Sequence, residues 1–144
     1  MLKGIPTVIS PSLLKVLAEM GHGDTIVVGD AYFAAAAMAK EGALVRADGI
    51  SAAHLVDAIL QLMPLDSWGA SCVTAMAADQ GNGLEPLEMC KTMLAIIKEY
   101  DPNAADTCKL VDRFAFYTLA RKAYAAIATG EAGHYGCIIL QKGT

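Results

Sequence analysis

The sequence contains no long apolar run, few aromatic residues and no cluster of charges of one sign. Aromatic side chains make up 6% of its 144 residues and charged ones 18%, and the net charge is −4. The longest basic run is Arg121-Lys122, so a nucleic-acid-binding surface is not predicted. No stretch approaches the roughly 18 apolar residues that span a bilayer, so no membrane segment is predicted either.

The sequence also lacks the residue spacings of disulfide, metal and nucleotide sites. Its cysteines, Cys72, Cys90, Cys108 and Cys137, include no C-x-x-C pair, and the first residues lack the apolar run of a secretion signal. These features predict reduced thiols and a cytoplasmic protein. There is no H-x-x-x-H, H-E-x-x-H or G-x-x-x-x-G-K motif, so we expect no metal and no bound nucleotide.

Apolar side chains are abundant, at 55% of the residues. The length predicts a single domain that spans residues 1–144. This apolar fraction exceeds what the core of one small domain usually needs, and obligate subunit interfaces resemble cores. We therefore expect part of the apolar surface to lie between subunits.

Segments with helical periodicity alternate along the chain with short apolar runs that are typical of strands. This alternation predicts an α/β three-layer sandwich with a mixed, mainly parallel sheet of about six strands. The loop 130–136 would allow a hairpin between the last two strands. The predicted strands are 25–29, 43–46, 72–77, 109–111, 124–129 and 137–141, and the predicted helices are 10–20, 31–40, 51–63, 85–100 and 113–122.

A histidine in a glycine-flanked turn is the first candidate for chemistry. His22 lies in the segment Met20-Gly21-His22-Gly23-Asp24, and Asp30 follows the next predicted strand. An imidazole exchanges protons near neutral pH, and α/β sheets bind ligands at the carboxyl ends of their strands. The two side chains are predicted to face one cleft. The alternative is a structural histidine in a turn and an aspartate that caps a helix.

Three further segments carry groups that bind sugars. On the predicted helix after Asp112, Arg113 and Tyr117 are four residues apart and share a face, although a surface arginine beside a half-buried tyrosine explains them equally. Tyr135 lies in the loop before the last predicted strand, where its ring is either a sugar-stacking group or an ordinary loop aromatic. Asp66 precedes the only tryptophan, Trp68, in what is either a sugar-binding or a helix-terminating turn.

Taken together and in order, these segments resemble the fucose mutarotase branch of the ribose pyranase/fucose mutarotase family. The similarity runs nearly from end to end. It is carried by Leu2-Lys3-Gly4, Ile9-Ser10-Pro11, Leu13-Leu14, Met20-Gly21-His22-Gly23-Asp24, Asp30, Arg46-Ala47-Asp48-Gly49, Pro64-Leu65-Asp66, Arg113-Phe114-Ala115-Phe116-Tyr117, Thr129-Gly130-Glu131 and Tyr135-Gly136.

The resemblance implies an enzyme that interconverts the α and β anomers of L-fucose or a related aldose without a cofactor. It implies that His22 is the general acid/base, that Tyr117 is a second proton-transfer group, and that Asp30 also orients the imidazole. It further implies a homo-oligomeric ring, of octamer or decamer type, with pockets near subunit contacts. The positions that match sugar contacts are Asp30, Asp66, Arg113, Tyr135, Gly136 and Cys137.

Two residues depart from the family pattern beside these positions. Tyr32 stands where the fucose branch usually has His or Asn, and Cys137 stands where the family usually has Asn. A bulky phenol would narrow the pocket, and a thiol replaces an amide donor and acceptor. The identity of the sugar therefore stays open, and so do three alternatives: pyranose–furanose exchange of ribose, non-catalytic monosaccharide binding, and a structural ring whose pocket is inactive.

Overall fold

A computed structural model describes residues 2–144 of the chain. A six-stranded sheet forms its centre, with helices on both faces, and a short two-stranded ribbon projects beside it. The helices are α1 Pro11–Glu19, α2 Ala35–Met38, α3 Ala52–Leu60, α4 Glu88–Tyr100, α5 Pro102–Asp106 and α6 Arg113–Ala120. The strands are β1 Thr25–Gly29, β2 Ala43–Ala47, β3 Val73–Met76, β4 Ala78–Asp79, β5 Leu84–Glu85, β6 Lys109–Val111, β7 Ala125–Thr129 and β8 Ile138–Gln141.

The strand order in the large sheet is β2-β7-β1-β8-β3-β6. Neighbouring strands are parallel except at β8, which pairs antiparallel with both β1 and β3. The mixed, mainly parallel α/β sandwich is thus confirmed. The predicted hairpin of β7 with β8 is wrong, because β1 lies between them and β8 gains a hydrogen-bonded neighbour on each side.

Side-chain alternation along the strands divides the core into two layers. In β1, Ile26 and Val28 pack into the layer beneath α1, α3 and α4, whereas Val27 faces the layer beneath α2 and α6. All three side chains are fully buried. Strands covered on both faces have near-continuous apolar sequences, which accounts for much of the high apolar fraction.

The helix N-termini follow the local signals in the sequence. The Ser10 Oγ accepts a hydrogen bond from the Leu13 amide, and the Ser51 Oγ accepts one from the His54 amide. Asp112 accepts from two amide groups of the first turn of α6. Such caps satisfy donors that a helix leaves unpaired. The Asp112 cap starts α6 directly after β6, at the carboxyl edge of the sheet.

Two local predictions are wrong. Helix α2 is confined to Ala35–Met38 rather than 31–40, because the Tyr32 and Phe33 amides bond to the Asp30 side chain and carbonyl instead of extending a helix. The helix predicted over 85–100 begins at Glu88, because Leu84 and Glu85 pair with Asp79 and Ala78 in the ribbon of β4 with β5. The absence of disulfides was predicted correctly, since all four cysteines are free.

Within residues 2–144, no helix is long and apolar enough to cross a membrane.

Burial raises the pKa of the Cys90 thiol to about 11. Thiols react as thiolates, so this cysteine is a packing residue rather than a nucleophile at neutral pH.

Candidate active site

A pocket of about 210 Å³ lies at the carboxyl edge of the sheet, where β1 and β3 end and β8 begins. This volume is below the roughly 300–1,000 Å³ of pockets for drug-sized ligands, so the pocket suits one small molecule. We call it the edge pocket. It is lined by Asp30, Tyr32, Phe33, Met76, Arg113, Tyr117, His134, Tyr135 and Cys137.

The Asp30 carboxylate joins the two loops that border the edge pocket. Its Oδ1 accepts from the Tyr32 amide at 2.9 Å, and its Oδ2 accepts from the Gly136 amide at 3.1 Å and from the Cys137 thiol at 3.4 Å. An ionised carboxylate offers about four acceptor positions, so roughly one remains for a ligand. Asp30 is 5% exposed and lines the pocket, so a ligand hydroxyl is the donor that this position suits.

The loop 130–136 has a backbone conformation that directs the Gly136 amide at Asp30. Tyr135 has φ of 56°, a left-handed conformation that is rare for a residue with a side chain. The loop is fixed on its other side, since Ala31 donates to the Glu131 carbonyl at 2.8 Å and Gly133 donates to the Glu131 carboxylate at 2.8 Å. Conformations of this kind persist where the surrounding contacts enforce them, often at functional sites.

Phe33 folds back over the end of β1 and supports the opposite border of the pocket. It can do so because residue 29 is glycine, as a Cβ there would lie 2.7 Å from the Phe33 Cγ. The Phe33 ring meets Phe116 edge-on at 5.9 Å between centroids and Tyr117 at 5.8 Å. This packing fixes the Tyr117 ring in the pocket lining.

Helix α6 supplies a cation and a phenol to the edge pocket. The Arg113 guanidinium lies 4.8 Å from the centre of the Phe114 ring, a cation–π distance. Among residues 2–144, neither the guanidinium nor the Tyr117 hydroxyl has a hydrogen-bond partner. Both groups line the pocket and are therefore available to a ligand that carries hydroxyl groups.

His22 is not part of the edge pocket. It precedes β1, whereas Asp30 follows it, and a five-residue strand separates its ends by about 17 Å. Within one subunit, therefore, His22 and Asp30 do not share a cleft, and Asp30 does not contact the imidazole. Residues that flank opposite ends of a strand cannot converge.

The partner of His22 is Asp66, which also lies outside the edge pocket. The imidazole Nε2 is 3.0 Å from the Asp66 Oδ1, which also accepts from the Trp68 amide at 3.0 Å. The Asp66 side chain is 7% exposed and that of His22 is 45% exposed. Asp66 was predicted to contact sugar directly; its observed contact is with His22. We call these two residues the His22–Asp66 pair.

The pair predicts how Asp66 contributes to stability as pH changes. The Trp68 amide and His22 hold the pKa of the Asp66 carboxyl below its usual value. A carboxyl whose pKa is lower in the folded state adds stability above its unfolded pKa, near 4, and loses it as pH falls further. The free energy of unfolding of the wild type should exceed that of Asp66→Asn at pH 5, and this difference should be smaller below pH 4.

Urea unfolding of both proteins at each pH gives the comparison. Asp106→Asn is the control, because it removes an equal charge from an exposed ion pair with Lys98. A difference between wild type and Asp66→Asn that stays constant down to pH 3 would contradict the prediction.

Three lining residues were not identified from the sequence: Phe33, Met76 and His134. Phe33 and Met76 continue the apolar pattern of buried elements, so no signal separates them from the core. His134 directly precedes Tyr135 in the loop 130–136. Its ring stacks on that of Tyr32, with 5.2 Å between centroids and 20° between planes.

Comparison with known proteins agrees with this geometry. The chain is 44% identical over 143 residues to an L-fucose mutarotase of Histophilus somni. The aligned region covers 99% of this chain and 96% of that protein. A structure of FucU from Bifidobacterium longum is 42% identical, with a TM-score of 0.90 and 99% of both chains covered. The fucose mutarotase of Streptococcus pneumoniae, solved in complex with L-fucose, is 41% identical, with a TM-score of 0.88 and 99% of both chains covered.

The pattern that describes the RbsD / FucU transport protein family matches residues 3–144, nearly the whole chain. The aligned relatives extend over nearly the same length as this chain. The chain belongs to the RbsD / FucU family.

Proposed function

We propose that this chain is a mutarotase that interconverts the α and β anomers of L-fucose or a closely related aldose. The observation that carries the proposal is the edge pocket, in which an acceptor position on Asp30, the Arg113 guanidinium and the Tyr117 hydroxyl all lack protein partners among the described residues. A monosaccharide is a small ligand with hydroxyls that can match all three. Relatives at 44% and 41% identity are L-fucose mutarotases, one of them solved with L-fucose.

The reaction needs proton transfer and no redox or group-transfer step. One group removes the proton from the anomeric hydroxyl while another protonates the ring oxygen, and the ring opens to the aldehyde. The C1–C2 bond rotates, and the ring closes on the other face. General acid–base catalysis of this kind typically contributes about 10²–10⁴-fold. Asp30, Arg113 and Tyr135 would bind hydroxyls, and Cys137 and the Gly136 amide would hold Asp30 in place.

In this mechanism Tyr117 is one proton-transfer group and His22 is the other. Because His22 and Asp30 flank opposite ends of β1, a strand about 17 Å long, His22 would act in the pocket of a neighbouring subunit. Asp66 would orient its imidazole. The exposed apolar residues support such a contact, since Trp68 beside the His22–Asp66 pair is 79% exposed and Phe114 beside the edge pocket is 69% exposed.

A contact between two different surfaces of one chain generates a closed ring when the rotation between subunits closes. The His22–Asp66 pair and the edge pocket lie at opposite ends of β1, so the contact that joins them is of this kind. We propose a homo-oligomeric ring of octamer or decamer type. We also propose a cytoplasmic location, which the four free thiols support.

Saturation transfer between the α and β H1 signals of L-fucose tests the function. The wild type should accelerate exchange, and His22→Ala should not. D-ribose, measured in parallel, distinguishes pyranose–furanose exchange. Binding of L-fucose without faster exchange would indicate a sugar-binding protein rather than an enzyme. An active His22→Ala protein would contradict the proposed mechanism.

A further inference from the structure

The stacked pair of Tyr32 and His134, here called the aromatic wall, has no role in the proposed proton transfers. Tyr32 belongs to the loop after β1, and His134 belongs to the loop after β7. Both rings line the edge pocket, yet Tyr32 is 66% exposed. An exposed tyrosine ring is free to rotate unless something holds it, and the nearly parallel stack at 5.2 Å provides that restraint.

The backbone of Tyr32 is fixed as firmly as its ring. Its amide donates to the Asp30 Oδ1 at 2.9 Å, and the carboxylate in turn holds the loop that carries His134 through the Gly136 amide. The aromatic wall therefore has a fixed position relative to the carboxylate that binds sugar hydroxyls. A rigid aromatic side chain at a fixed distance from a carboxylate restricts which substituents a ligand bound to that carboxylate can have.

The polar and apolar groups of the edge pocket come from different elements. Arg113 and Tyr117 of α6 offer free donors, whereas ring faces, such as those of the aromatic wall, and the Met76 side chain offer little to a hydroxyl. Burying a hydroxyl without a partner is unfavourable. In an aldopyranose, the ring carbons C1 to C4 carry hydroxyls, and C6 is the one exocyclic carbon that can lack one.

We propose that the aromatic wall receives the substituent on C5 of the sugar and makes the edge pocket selective for 6-deoxy aldoses over 6-hydroxy aldoses. The inference rests on the proposed function and deepens it, because it assigns the substrate class to Tyr32. A methyl group gains contact with the ring surfaces, and a hydroxymethyl group places an unpartnered hydroxyl there. Tyr32 is thus a specificity-determining residue.

Three sugars with the same configuration at C2 to C4 test the proposal. D-Arabinose has only hydrogen at the position in question, L-fucose has a methyl group, and L-galactose has a hydroxymethyl group. The quantity to measure is kcat/KM for anomer exchange with each sugar. For the wild type we expect L-fucose to exceed L-galactose by a factor on the order of 10², near the limit for an apolar site that rejects an added hydroxyl.

Truncation of the wall should remove this preference. In Tyr32→Ala, the ratio of L-fucose to L-galactose should fall about tenfold or more, because the hydroxymethyl group is then hydrated, while D-arabinose changes little. Tyr32→Phe keeps the ring and should retain the ratio, and His134→Ala should give an intermediate ratio. Tyr100→Ala, which removes an exposed tyrosine bonded to Asp57, controls for loss of an aromatic elsewhere.

A Tyr32→Ala protein with the wild-type ratio would overturn the proposal while leaving the mutarotase function intact. If the wild type accelerates exchange of none of the three sugars, the proposed function fails. The wall is then judged by binding alone, using saturation-transfer difference NMR. A preference for L-fucose over L-galactose that disappears in Tyr32→Ala would support it, and equal binding of the two sugars by the wild type would overturn it.

Discussion

Two inactive variants of this chain should restore each other's activity when they assemble together. One is His22→Ala, and the other, the pocket variant, carries Arg113→Ala with Tyr117→Phe. Each alone should lose about 10²–10⁴-fold in the rate of anomer exchange, because each lacks one of the two proposed proton-transfer groups. A one-to-one mixture, unfolded and refolded together, should recover about a quarter of the wild-type rate if subunits mix at random in a closed ring.

The fraction follows from the position of His22. Half of the subunits in the mixture, the His22→Ala chains, have an intact edge pocket, and about half of these would face a neighbour with an intact His22. A chain that carries all three substitutions, mixed with His22→Ala, is the matched control and should recover nothing. If mass spectrometry verifies co-assembly and the first mixture stays inactive, the proposal that two subunits share one active site is wrong.

The second large effect is expected at Asp30. In Asp30→Asn, the amide carbonyl can accept from the Tyr32 or the Gly136 amide, and the side-chain NH₂ then faces the other donor. A buried amide left without an acceptor costs about 1–3 kcal/mol, so the free energy of unfolding should fall by that amount. Both loops of the edge pocket depend on this carboxylate, so anomer exchange should fall about 10²-fold or more.

Urea unfolding and saturation-transfer NMR on the same preparation measure both effects of Asp30→Asn. Asp48→Asn is the control, because Asp48 pairs with Arg46 on the surface, and most such substitutions change stability by less than about 0.5 kcal/mol. An Asp30→Asn protein with wild-type stability would show that the three donors do not depend on the charge of Asp30.

Much of the fold could be predicted because its signals are local. The caps at Ser10, Ser51 and Asp112 mark helix starts through hydrogen bonds between residues two or three positions apart in the chain. Strand order is a different matter, since it depends on which edges remain open once the other strands have paired. A short loop before β8 allows a hairpin with β7, but the sheet offers β8 two partners, β1 and β3, in place of one.

Part of the candidate site could likewise be predicted from local sequence signals, and part could not. Arg113 and Tyr117 share a helical face by spacing alone, and the edge pocket brings them together with Asp30. The contact of His22 with Asp66 joins residues 44 positions apart, and no periodicity reports such a distance. Met76 lines the pocket at the end of a strand whose sequence has the same apolar pattern as its buried neighbours.

The place of β8 in the sheet also bears on how the protein is made. This strand follows the other described strands in the chain, yet it lies between β1 and β3 and joins the group β2-β7-β1 to the group β3-β6. Until β8 leaves the ribosome, each group retains an open strand edge on its inner side, and open edges pair readily with other chains. The nascent chain is therefore most exposed to wrong strand pairing in the interval before β8 emerges.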